Sequence, residues 1–108
     1  MVKTSFLGLD ENIAGALTYV LGWLTGVIFY LLEKESRYVR FHAVQSIALF
    51  LPLHVVIIVL GYIPFIGWVI SNLLALLGLV LWIVLIVKAY QGEWFKLPVT
   101  GDIAEERS

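Results

Sequence analysis

Two histidines are the only side chains in this sequence whose ordinary charge change falls near neutral pH, and each sits inside a long uncharged tract. His54 stands two residues past Pro52, about midway along an apolar helix, where an ionisable group is a functional hypothesis by default. It could carry protons or gate a pore. As a structural group it would instead be a neutral imidazole, bonded to a hydroxyl or to a carbonyl that Pro52 leaves without its amide partner. Asn72, counted outward from the intervening turn, falls roughly one helical turn from the level of His54 and is its candidate partner. His42, Gln45 and Ser46 lie at i, i+3 and i+4, on one helix face, a spacing that suits a single hydrogen-bonding cluster. A structural latch to the loop or the first helix is the expected role of that cluster. Binding of a lipid headgroup or a partner is the alternative.

Other chemistry is poorly supplied. The two histidines are too far apart in sequence to share an ion within one helix, and no carboxylate lies inside the apolar tracts, so no metal site is expected. The absence of cysteine removes disulfides, thiolate nucleophiles and thiolate metal sites together. HExxH, GxSxG, P-loop and paired intramembrane aspartates are also missing. The sequence therefore offers no catalytic residues and no cofactor, and an enzyme is not expected.

The elements that must position these side chains follow from composition. Of 108 residues 61% are hydrophobic and 14% charged, with a formal net charge of −1, far from the roughly half apolar and quarter charged of soluble domains. All charges fall in Met1–Arg40 and Lys88–Ser108, which leaves no basic surface for nucleic acid. The fold class read from this is all-α: an integral membrane helical bundle in one domain, 1–108, with three transmembrane helices at about 13–32, 36–60 and 68–91. Around them are an N-terminal tail (1–12), a polar loop with the start of helix 2 (33–46) and a C-terminal interfacial tail (92–108). The 20 uncharged residues Ile13–Leu32 would span about 30 Å as one helix, the thickness of a hydrocarbon core. Gly22 and Gly26 form a GxxxG in that helix, a candidate close-packing face. Ser36 reads as an N-cap, Pro52 as a kink, Gly61–Gly67 as a turn and Gly92 as a stop.

Anchors and orientation come from the flanks. Arg37 and Arg40 are expected beside lipid phosphates, with Tyr38 and Phe41 as interface aromatics, and Lys88, Trp94 and Lys96 as anchors at the end of the last span. The final residues read as one helical turn, capped by Thr100 or Asp102, with a frayed end. With three spans, the N-terminal tail and the second turn share a side that holds only Lys3, against six basic residues opposite. This predicts a cytoplasmic C-terminus and an external N-terminus. The beginning does not read as a cleavable signal, because Asp10 and Glu11 follow Lys3.

Four segments carry a family likeness: Gly8-Leu-Asp-Glu-Asn-Ile-Ala-Gly, Leu32-Glu-Lys-Glu, Val39-Arg-Phe-His-Ala-Val-Gln-Ser and Leu97-Pro-Val-Thr-Gly-Asp-Ile-Ala. By these the chain resembles the small prokaryotic multi-pass membrane proteins of unassigned function that are grouped with the chloroplast inner-envelope import component (Tic-type). Phe41, His42, Ala43, Gln45 and Ser46 are the most specific part of the likeness. The resemblance implies a translocation-related role and brings no catalytic residues with it. Together these readings predict a non-enzymatic protein of the cell membrane: an assembly, scaffold or accessory component. Its partners would be the bilayer and further copies or other membrane proteins. The alternative is an oligomeric channel or transporter for small ions or protons that uses His54.

Overall fold

Helix starts and stops are set by local chemistry. The computed structural model describes residues 8–108 and is all-helical, with α1 at Glu11–Val20, α2 at Trp23–Leu32, α3 at Arg37–Gly61, α4 at Ile66–Tyr90 and α5 at Thr100–Arg107. Residues 1–7 of the expected N-terminal tail lie outside the described residues. Ser36 caps α3 as its type predicts, its Oγ accepting from the Val39 amide at 3.3 Å. The Glu33 carboxylate accepts from the amides of Glu35 and Ser36 at 3.0 and 2.8 Å, so donors that a helix start leaves open are met. After α3 the chain reverses at Tyr62–Phe65. Gly67 is required there because a Cβ would lie 2.3 Å from the Leu60 carbonyl oxygen. Gly92, at φ 82°, ends the last long helix as expected. α3 and α4 have 25 residues each, about 37 Å by helical rise, and both are long and apolar enough to cross a membrane.

The first predicted span is not one helix. The chain breaks at Leu21–Gly22, where Gly22 adopts φ 63° and ψ −133°, and α1 and α2 are ten residues each. Gly22 is thus a break that its lack of Cβ permits, not part of a continuous GxxxG ridge. The exposed backbone groups are answered nearby: Ser46 Oγ donates to the Gly22 carbonyl at 2.7 Å, Trp82 Nε1 to the Tyr19 carbonyl at 2.6 Å, and Thr25 Oγ1 to the Thr18 carbonyl at 3.0 Å. In an apolar setting a break persists only with such partners.

The break also turns the chain around. Along α1, Gly15 lies against Tyr38 and Tyr19 against His42; at the break Gly22 meets Phe50, and along α2 Trp23 meets His54, Gly26 faces Ala43 and Ser46, and Arg40 stacks on Tyr30. α1 therefore climbs beside α3 and α2 descends. The start of α1 ends up with the polar loop and the tail, since Ser36 Oγ bonds Glu11 Oε2 at 2.5 Å and Asn12 Nδ2 bonds the Tyr90 carbonyl at 3.0 Å. This corrects the expectation that the N-terminal segment shares a side with the turn at Tyr62–Phe65. An uncharged run has the same length whether it crosses once or enters and returns.

The last segment differs from expectation as well. α5 is a two-turn helix laid on α3, with Ala104 fully buried against Phe41 and Val44. Tyr38 and Phe41, expected at the lipid interface, are buried inside this packing. The molecule measures 48 × 23 × 23 Å and divides along its length. From Arg37 to Phe50, α3 is enclosed by α1, α2, α5 and the end of α4; from Val55 onward, α3 and α4 alone continue with Val59, Phe65, Val69, Leu73 and Leu76 exposed.

Candidate functional site

The polar residues predicted to share a helix face do converge, and they sit at the centre of the enclosed end. His42, Gln45 and Ser46 are each fully buried on α3. His42 Nε2 lies 2.9 Å from the Glu93 carbonyl oxygen, which can only accept, so this nitrogen carries the proton. Nδ1 is then the acceptor for the Tyr19 hydroxyl at 2.6 Å. That leaves the Tyr19 oxygen free to accept from Gln45 Nε2 at 3.0 Å. The second amide hydrogen of Gln45 goes to the Phe95 carbonyl at 2.8 Å, and Gln45 Oε1 accepts from the Leu97 amide at 3.0 Å. Every strong donor of the group is used, and the imidazole is fixed as a neutral tautomer between a phenol and a backbone carbonyl.

The cluster therefore ties three elements to α3: α1 through Tyr19, the break through Ser46, and the segment after α4 through Glu93, Phe95 and Leu97. Tyr38 adds a fourth tie, its hydroxyl donating to the Ala89 carbonyl at 2.5 Å, with Glu93 O at 3.2 Å. Gly26 and Gly101 allow the close approach. A Cβ on Gly26 would lie 2.9 Å from the Ala43 carbonyl oxygen, and one on Gly101 would lie 2.5 Å from Lys96 Cβ and 3.0 Å from Gln45 Oε1. So Gly26 is a close-packing position against α3, as its place in the GxxxG suggests. The four segments that carry the family likeness, scattered in sequence, meet here.

The expected headgroup anchors are engaged within the chain. Arg40 Nη1 donates to the carbonyls of Tyr30 and Glu33, both at 2.9 Å, which caps the end of α2, and Arg40 Nε reaches Ser108 O at 3.3 Å. Arg37 bonds the Glu105 carbonyl and Ser108 Oγ at 3.2 Å each. Lys88 lies 3.3 Å from Glu93 Oε2, Lys96 pairs with Glu105 and Asp102, and Trp94, half exposed, packs edge-on to Tyr38.

His54 and Asn72 are not brought together. His54 Nδ1 accepts from Trp23 Nε1 at 3.1 Å, while the Asn72 amide bonds its own helix at the Trp68 carbonyl, 2.8 Å away. Sequence reasoning assigned no bonding partner to Tyr19, Trp23, Trp82, Thr25 and Glu33, although Tyr19, Thr25 and Trp82 fall on helix faces shared with small residues. The first four lie in apolar runs where an aromatic or a threonine carries no signal of partnership. Glu33, three residues before Ser36, had a capping spacing that could have been read.

Comparison with known proteins agrees with a membrane protein. Residues 5–104 match a family described as the magnetosome magnetite crystal formation protein family. A UPF0132 membrane protein of Methanocaldococcus jannaschii is 61% identical over 108 residues, covering all of this chain and 96% of the relative. A second from the same organism is 50% identical over 105 residues, covering 97% of this chain and 75% of its own length. A UPF0132 membrane protein of Archaeoglobus fulgidus is 50% identical over 99 residues, covering 92% and 96%. No solved structure matches.

Proposed function

We propose, from the premise that this chain belongs to the magnetosome magnetite crystal formation protein family and with it to the UPF0132 membrane proteins, that it is a non-enzymatic assembly or accessory component of a membrane complex. The observation that carries this reading is the use of the buried polar cluster. His42, Gln45, Tyr19 and Ser46 spend their hydrogen-bonding capacity on one another and on backbone carbonyls, so they hold a shape and leave no activated group. What the enclosed end offers outward is the exposed side of α5, with Asp102, Glu105 and Glu106. The family description speaks of magnetite crystal formation and the UPF0132 relatives are named only as membrane proteins, so the assembly role rests on the polar cluster and the translocation role on the Tic-type resemblance alone.

In this reading α3 and α4 are the two true spans, and α1 with α2 forms a re-entrant hairpin. The protein lies in the cell membrane with the enclosed end on the cytoplasmic side, the start of α1 and the C-terminal tail included. The six Lys and Arg residues among the described ones then share that side, and the turn Gly61–Gly67 opposite holds none, the asymmetry that the positive-inside rule expects. Single cysteines test it: Ser5, Lys34 and Ser108 should label from one side and Tyr62 from the other. Labelling of Ser5 together with Tyr62 would restore three spans. For the assembly role, protein drawn from native membranes in mild detergent should carry a stoichiometric partner or further copies. The charge reversal Glu106→Lys, which leaves the Lys96–Glu105 pair in place, should release it without loss of thermal stability. A single free chain from native membranes would sink the proposal.

A further inference from the structure

One polar group remains outside the arrangement described above. The indole N–H of Trp23 can only donate, so the His54 Nδ1 that it meets at 3.1 Å bears no proton, and the imidazole is neutral with its hydrogen on Nε2. That Nε2–H has no hydrogen-bond partner among the described residues. His54 is exposed and lies eight residues from Ser46 and seven from Gly61, about 12 and 10 Å along α3, inside the part of the helix that faces lipid. Water does not supply the missing acceptor there, and an unmet donor in hydrocarbon is costly.

The same imidazole lines an open-sided cavity of about 350 Å³ just above the tip of the α1–α2 hairpin, between α3 and α4. This is near the lower end of the volumes, roughly 300–1,000 Å³, that hold small ligands. Its wall is almost wholly apolar. Three aromatic rings border it, Trp23, Phe50 and Trp82, and the small residues Ala75 and Gly78 open the α4 side. The indole nitrogens are already committed, Trp23 to His54 and Trp82 to the Tyr19 carbonyl, so the rings present faces and edges while His54 Nε2 is the free donor.

We propose that this cavity binds a neutral, membrane-dissolved ring compound that presents a carbonyl oxygen, of the quinone class, with the oxygen accepting from His54 Nε2 and the ring packed among the three aromatics. The ligand must arrive through the bilayer, because the cavity lies at the depth of exposed Val55, Val56 and Leu79. The ester or ether oxygens of membrane lipids sit at the interface, about 10 Å away along α3 at the level of Gly61, and do not reach this donor. A flat ring fits the aromatic border better than a bare chain, and one of a quinone's two carbonyls meets the donor while the other, already unbonded in the lipid the ligand comes from, loses no partner. The proposal concerns binding alone and is independent of the assembly role.

The test uses the full chain in nanodiscs of saturated phosphatidylcholine, titrated with decylbenzoquinone, decylbenzene and farnesol, and read by tryptophan fluorescence and by 15N resonances of labelled histidine. Decylbenzoquinone should quench saturably, bind at least about tenfold more tightly than either comparison compound, and shift the Nε2 resonance that His54→Phe removes. His54→Gln, which keeps an acceptor for Trp23 and a donor for the ligand, should retain most of the affinity. His54→Phe should reduce it to that of decylbenzene. Ala75→Phe should fill the cavity and abolish saturable binding while the His54 resonance stays in place. Quenching that merely follows quinone concentration in the lipid would overturn the proposal, as would equal affinity for decylbenzene or farnesol. An affinity that His54→Phe leaves unchanged would overturn it too.

Discussion

The two halves of α3 have the same backbone and opposite surroundings. Between Arg37 and Phe50 the helix packs against the other helices, and nine of its residues are buried. Between Val55 and Gly61 it is bare except for α4, with Val59 57% exposed, and across the turn α4 begins the same way with Leu73 61% exposed. The first half is held by directed bonds whose partners must be in place together; the second is held by dispersion and by its solvent, since lipid provides no hydrophobic drive between helices. Specificity of structure is therefore concentrated at the polar end, and the apolar end needs only length and composition. The four segments of the family likeness fall in the first half and its partners.

The largest effect should come from Gln45→Leu. The substitution keeps the volume roughly constant but strands the Phe95 carbonyl and the Leu97 amide in a buried place. At about 1–3 kcal/mol for each unmet group, a loss of about 3 kcal/mol is expected, read as reversible unfolding in detergent. A loss below about 1 kcal/mol would mean that the tail rearranges or is wet, and the contrast between the halves would weaken.

Next come the two glycines of the GxxxG, which the structure separates by mechanism. Gly26→Leu drives a side chain against the Ala43 carbonyl, an overpacking expected to cost about 3 kcal/mol. Gly22→Ala meets nothing nearer than Phe50 Cβ at 3.7 Å, but places a Cβ at φ 63° and should cost about 1–2 kcal/mol from backbone strain alone. D-alanine at position 22, introduced by semisynthesis, should recover that loss, and at position 26 it should not. No recovery at position 22 would show one continuous helix after all, because D-alanine is unfavourable inside a right-handed helix. On the bare hairpin, Leu73→Ala should change stability by less than about 0.5 kcal/mol, because lipid replaces the lost contacts. A value near that of a core leucine would reveal a covering partner.

Much of this contrast was legible in the sequence, and the limits are physical. Ser36, Gly92 and the Gly61–Gly67 turn act through their own backbone conformations, so their types sufficed. The i, i+3, i+4 spacing placed His42, Gln45 and Ser46 on one face, but their partners are carbonyls of Glu93 and Phe95 and a tyrosine in an uncharged run, none of which announces itself by residue type. The turn-back between α1 and α2 was illegible for a related reason. A glycine between apolar stretches suits a spanning helix and a break equally, and the groups that decide, Ser46 and Trp82, lie far along the chain.

The smallest effect belongs to the flank of the polar end, where Lys96 Nζ lies 3.0 Å from Glu105 Oε2 and 3.6 Å from Asp102 Oδ1. The hydrogen bond to Glu105, with the negative charge of that residue and then of Asp102, holds the ammonium above the ordinary lysine range. A cation whose folded value is raised contributes fully below its unfolded value and loses that contribution as pH rises through the folded one. The dependence therefore falls on the alkaline side, and between about pH 6 and 9 Lys96 contributes a constant amount. The pair is exposed and screened by salt. Lys96→Met should thus loosen α5 only slightly, read as faster hydrogen exchange at the amides of Ile103 and Ser108, which bond to Val99 and Ala104. In about 1 M salt the wild-type chain should exchange like the variant. If Lys96→Met instead released α5 as fully as Gln45→Leu, the tail would be held by its exposed ions rather than by the buried amide, and the division between a bonded half and a solvated half would fail where the two are joined.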